Sequence, residues 1–63
     1  MFLRKLRIQA GLTQLELAEI CDCDRSTIGK IEKGIIKPGV DLAKKIGKAL
    51  NFDWTLFYEE KGA

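Results

Sequence analysis

Between Asp24 and Gly34 the chain reads Asp24-Arg25-Ser26-Thr27-Ile28-Gly29-Lys30-Ile31-Glu32-Lys33-Gly34. A carboxylate able to cap a helix opens this stretch, and a glycine able to end one closes it. At a helical pitch Ile28 and Ile31 share one side, with Glu32 at its margin. Arg25, Ser26, Gly29, Lys30 and Lys33 spread over about 140° of the other side. That outer face offers cations, a small hydroxyl and a gap, with no large apolar group. Water can cover such a face. It can also press into a groove lined by phosphates and base edges, where guanidinium and ammonium donors find acceptors.

Other chemistry finds little footing. There is no histidine, and the chain carries no phosphate-cradling loop and no nucleophile–base arrangement, so no enzyme activity and no cofactor are expected. The two cysteines, Cys21 and Cys23, are separated by one residue. That spacing on a helix or across its end rarely permits a bridge, and without histidine no set of zinc ligands exists. They read as small buried hydrophobes in a reducing compartment, ahead of a redox pair. No signal peptide and no long apolar run is present, so a cytoplasmic, nucleoid-associated protein is expected, with no membrane and no metal partner.

The formal charge of +2 over 63 residues argues for nothing by itself, but its layout is segregated. Residues 1–12 carry +3, 13–24 carry −4, 25–39 carry +3, 40–50 carry +2 and 51–63 carry −2. A chain so divided can present one basic face to a polyanion despite a nearly neutral total. On charge alone, ordinary solvated surface stays the simpler reading.

The elements that must hold this face follow in order. A first helix is expected over about residues 2–10, with Leu3 and Leu6 as its apolar pair and Gly11 as its left-handed stop. Nothing precedes it in the sequence, so no arm reaching round a duplex is expected. Thr13-Gln14-Leu15-Glu16 fits a capping box at the start of a second helix, flanked by Leu12 and Leu17 at staple spacing. Leu17, Ala18 and Cys21 should face inward, Ala18 being small where a second helix can cross closely. Cys21-Asp22-Cys23 allows only a tight turn, with Asp22 taking the left-handed conformation. Asp24 should then cap the third helix, which gives a helix-turn-helix core at about 13–33. Ile35 to Gly39 reads as a loop. A fourth helix should run over about 40–50 with Val40, Ala43, Ile46 and Leu50 inward, Gly47 marking a close contact and Asn51 a stop. Asp53 should cap a short fifth helix with Phe52 and Phe57 paired across its start, and residues 59–63 read as a fraying tail.

Together these spacings resemble a known family. Leu3-x-x-Leu6-Arg7, Gly11-Leu12-Thr13-Gln14, Leu17-Ala18, Ser26-Thr27-Ile28, Ile31-Glu32-x-Gly34, Pro38 and Ile46-x-x-Ala49-Leu50 match, in order, the helix-turn-helix domain of lambdoid phage repressors, Cro proteins and bacterial regulators of the xenobiotic-response-element type. The resemblance covers residues 3–58 and implies an all-α, five-helix bundle forming one domain over 1–63. It also implies that the third helix enters the major groove of double-stranded DNA. Arg25, Ser26, Gly29 and Lys30 match positions that face base edges. Thr13, Gln14, Thr27, Lys33 and Lys37 match positions on the DNA backbone. Arg7 and Glu32 match a structural ion pair, and Leu56, Phe57 and Tyr58 border a region through which relatives form homodimers. The expected function is therefore a sequence-specific transcriptional regulator, a repressor binding an inverted-repeat operator as a dimer.

Each assignment has a plainer counterpart. Arg25 and Lys30 can be solvated, Gln14 can be only a good helix residue, and Trp54, Phe57 and Tyr58 read as core in preference to a base-stacking platform, being clustered at one end. The sequence also departs from the family pattern. Asp22 stands where glycine is usual in the turn, Gly39 where serine caps the fourth helix, and Leu15, Ile20, Ile35 and Ile36 where polar residues are common. Those four motivate an adaptor that reuses the fold to bind protein without DNA. An antitoxin-like or restriction-modification autoregulator on the same fold is the other alternative.

Overall fold

A computed structural model describes residues 2–58 and contains four α-helices, α1 (Phe2–Gln9), α2 (Gln14–Ile20), α3 (Arg25–Glu32) and α4 (Val40–Leu50), followed by a 3-10 helix over Trp54–Tyr58. The tail proposed for residues 59–63 lies outside the described residues. The fold is all-α with a helix-turn-helix. The fifth element is a 3-10 turn and not a fifth α-helix. Its opening bond, from Leu56 N–H to the Asp53 carbonyl at 3.1 Å, spans three residues and not four, which is the 3-10 pattern.

Local signals set each boundary. α1 gives way at Gly11 (φ 75°), where Gly11 N–H donates to the Ile8 carbonyl and Leu12 N–H to that of Arg7. The helix ends one residue earlier than expected, at Gln9. α2 starts with a full capping box. Thr13 Oγ1 accepts from the Glu16 N–H at 3.0 Å, and Glu16 Oε1 accepts from the Thr13 N–H at 2.8 Å. Such a cap typically contributes about 1 kcal/mol. The turn after α2 places Asp22 at φ 57°, and Cys23 N–H closes it on the Ala18 carbonyl. Asp24 precedes α3 with extended backbone but makes no side-chain cap bond, contrary to the sequence expectation; its carbonyl accepts from Thr27 and Ile28 N–H instead.

The core is Leu3, Leu17, Ala18, Cys21, Ile28, Ile31, Ala43, Ile46 and Phe57. α2 packs most extensively on α3, with Ala18 fully buried between larger neighbours, and this contact fixes the angle at which α3 is presented. Ile28 and Ile31 have no exposed surface, each burial favouring the fold by about 1.5–3 kcal/mol. Leu6 is only half-buried. Val40, expected inward, is exposed: it starts α4 about 90° round from the Ala43–Ile46 centre of the stripe. Leu50 is half-buried beside the core.

An aromatic cluster joins the start of α1 to the segment after α4. Phe2, Phe52 and Phe57 meet in pairs with ring centres 5.2–5.6 Å apart. Asn51 (φ 58°) turns the chain out of α4, and Gly47 lets it return closely. A Cβ at Gly47 would stand 2.8 Å from the Phe52 carbonyl oxygen and 3.0 Å from Trp54 Cβ. Asp53 Oδ1 accepts from the N–H and hydroxyl of Thr55, opening the 3-10 helix. Tyr58 Oη donates to the Pro38 carbonyl at 2.6 Å, which fastens the 3-10 helix to the loop after α3.

Candidate nucleic-acid interface

With Ile28 and Ile31 anchored in the core, the opposite side of α3 must face outward. It carries a concavity of about 350 Å³, bordered by Arg25, Ser26, Gly29, Lys30 and Lys33 from α3 and its end. Gln14 from the start of α2 and Ile35 from the following loop complete the wall. Arg25, Ser26, Lys30 and Lys33 are exposed, and among the described residues no carboxylate lines the hollow. The four positions matched to base edges thus lie together with two of the five matched to the DNA backbone, Gln14 and Lys33. Thr13, Thr27 and Lys37 stand outside it. Thr13 uses its hydroxyl in the α2 cap, Thr27 is half-buried, and Lys37 is exposed on the loop.

Beneath the concavity lies a polar network that ties three segments together. Arg7 Nε donates to Glu32 Oε2 at 2.5 Å and Nη2 donates to Oε1 at 3.3 Å, while Nη1 donates to the Leu12 carbonyl at 2.8 Å. Both side chains are nearly buried. Gln14 Nε2 donates to Glu32 Oε1 at 3.0 Å, a bond that joins the first turn of α2 to the last turn of α3. Burial pushes the Glu32 carboxyl up. The hydrogen bonds from Arg7 and Gln14, with the charges of Arg7 and Arg4, outweigh that and hold it below its ordinary value. The anion is neutralised inside, so the outer face keeps its positive character.

The Gln14 link went unread in the sequence, where the residue was matched only to the DNA backbone. Its orientation follows from the partner, since a carboxylate demands the NH2 end of the amide. One amide hydrogen is engaged by Glu32, and the other can still donate outward. Gln14 lies over Gly29, where an added Cβ would meet it at 3.7–3.9 Å. Gly29 is therefore a shallow notch beside the amide.

Elsewhere the residues are more ordinary. Cys21 and Cys23 are free thiols. Burial, aided by the charge of Cys23 and opposed by Lys45, pushes Cys21 up to about 11, so it stays protonated at neutral pH. Burial, with Asp24 and Asp22, likewise raises Cys23. Among the described residues no group of three histidine, cysteine or acidic side chains gathers where a metal ion could be held. No helix there is long and apolar enough to cross a membrane. In the 3-10 helix Phe57 is 4% exposed and packs on Phe2 and Phe52, so of the three residues placed at a dimer seam its ring belongs to the core. Leu56 is exposed and Tyr58 half-buried.

Comparison with known proteins agrees with this geometry. Residues 3–57 match the family model described as helix-turn-helix. The chain is 44% identical over 59 residues to the uncharacterized HTH-type transcriptional regulator YqaF of Bacillus subtilis (strain 168), an alignment spanning 94% of this chain and 78% of that protein. It is 46% identical over 48 residues to an uncharacterized HTH-type transcriptional regulator of Methanothermobacter thermautotrophicus, covering 76% of this chain and 70% of the relative. A third regulator so described, from Archaeoglobus fulgidus, is 41% identical over 49 residues, covering 78% and 70%. With a match this long and a two-helix unit packed as described, the chain belongs to the helix-turn-helix family of the Cro/C1 type.

Proposed function

We propose that this protein is a sequence-specific double-stranded DNA-binding transcriptional regulator, a repressor that occupies an inverted-repeat operator as a homodimer. The observation that carries the reading is the gathering of Arg25, Lys30 and Lys33 with Ser26 and the Gly29 notch on one exposed face of α3. Exposed cations on a projecting helix suit the major groove. Arg25 has the donor geometry to hold guanine O6 and N7 together, which is typically worth about 1–3 kcal/mol of discrimination. Lys33, in the turn that ends α3, suits a phosphate, while Lys30 can serve either acceptor. Gln14, at the start of α2, adds an amide donor toward the backbone. Repression then needs only occupancy of promoter DNA, with no catalysis and no cofactor. The names of the three relatives, all transcriptional regulators, support the same reading.

Selection of bound duplexes from a random library tests it. An enriched inverted repeat is expected. On that duplex Lys33→Ala should weaken all sequences alike and reduce the slope of log affinity against log salt by about one. Arg25→Ala should instead relax preference at one base position. A library with no enriched sequence at low salt would overturn the proposal, as would two variants indistinguishable from wild type.

A further inference from the structure

We infer that Ile35 is a base-reading residue, which recognises the C5-methyl group of a thymine at the edge of the site read by α3. This inference rests on the DNA-binding reading above and assigns a further specificity contact within it. Ile35 is 65% exposed, the most exposed of the large hydrophobic side chains among the described residues, yet its backbone is tightly held. Gly34 takes φ 77°, and this left-handed turn sends Ile35 N–H back to the Lys30 carbonyl at 2.9 Å. The backbone is thereby held so that the side chain lines the C-terminal lip of the concavity, on the same wall as Lys30 and Lys33.

Among the described residues it is the one branched apolar side chain on that wall; the other positions offer cations, an amide, a hydroxyl and a glycine. A protein partner seating an apolar group on Ile35 would have to strip water from the surrounding cations without supplying phosphates, which is costly. A duplex matches both kinds of group. Phosphates meet the cations, and the apolar feature that base edges present in the major groove is the thymine methyl. Placed between phosphate-seeking lysines, an isoleucine is suited to that methyl in a way that a hydrogen-bonding side chain is not.

The test uses the duplex selected for the wild-type chain, in which a thymine is expected at the opposite end of the α3 footprint, about three or four base pairs from the position relaxed by Arg25→Ala. Replacing each thymine in turn by uracil removes only the methyl and keeps the pairing edge. One substitution should weaken wild-type binding roughly three- to tenfold, the range expected for one methyl contact. For Ile35→Ser the thymine-to-uracil ratio at that position should fall to about one. Ile35→Val should keep most of it, and Arg25→Ala should leave it intact. Thermal melts of Ile35→Ser should stay close to wild type, because the side chain is mostly exposed. Loss of affinity without any change in the thymine-to-uracil ratio would mean that Ile35 rests on sugar, and the inference would fail. It would fail equally if Ile35→Ser bound every duplex as wild type does. A library that yields no preferred duplex would instead remove the DNA-binding reading and this contact together.

Discussion

Glu32 is the residue on which the presentation of α3 depends, because it accepts from Arg7 on α1 and from Gln14 on α2. Removing one member of a buried pair leaves the other charge uncompensated, which typically costs about 3–5 kcal/mol. For a chain of this size that approaches the whole stability. Glu32→Gln should therefore melt far below wild type at neutral pH. Its acid response should differ too. The folded carboxyl titrates below its ordinary value, so in the window between the two the unfolded chain binds more protons, and stability rises with pH. The contribution is complete above about pH 4.5 and is lost as pH falls through the folded value. Urea melts between pH 3 and 7 should show a shallower dependence for Glu32→Gln. A residual slope should persist because hydrogen bonds from Thr55 also hold Asp53 low. Equal slopes for variant and wild type would show that Glu32 is not the group that links folding to acid.

At the scale of elements, two glycines inside helices make opposite demands. Gly47 sits where the chain folds back against α4, and a Cβ there would press on the Phe52 carbonyl and the Trp54 backbone. Backbone cannot step aside as a flexible side chain can, so Gly47→Ala should lose about 1–3 kcal/mol despite its better helix propensity. Gly29 has only the end of Gln14 near it, at ordinary contact distance. Gly29→Ala should therefore gain about 0.5–1 kcal/mol, a rise of several degrees in melting temperature. Calorimetry of both variants checks the pair, and a stabilised Gly47→Ala would contradict the packing. Signals that act within a few residues were legible in the sequence: the Thr13–Glu16 box, the left-handed stops at Gly11 and Asn51, the Asp22 turn and the inward isoleucines of α3. Those that depend on distant partners were not. The bond from Gln14 to Glu32 spans 18 residues and has no periodicity to announce it.

The whole molecule sets the problem of specificity that its parts cannot solve singly. α3 is eight residues, about 12 Å of helix, which spans only three or four base pairs of groove. A genome offers so many such sites that one reading helix cannot select among them. A second copy related by two-fold symmetry would place another α3 one helical turn away, about 34 Å, a distance close to the 33 Å long dimension of the described chain. Because Phe57 is committed to the core, the proposed seam at the 3-10 helix rests on Leu56 with the exposed part of Tyr58. If the proposed seam holds, Leu56→Glu sets like charges against each other across its two-fold axis while leaving α3, the Arg7–Glu32–Gln14 network and the aromatic cluster in place. Affinity for the full inverted repeat should then fall roughly 10- to 100-fold, whereas affinity for a single half-site should stay as it was. Titration of the two duplexes against wild type and variant makes the comparison. An equal loss on both would trace the effect to folding, and no loss on either would move the seam to another face.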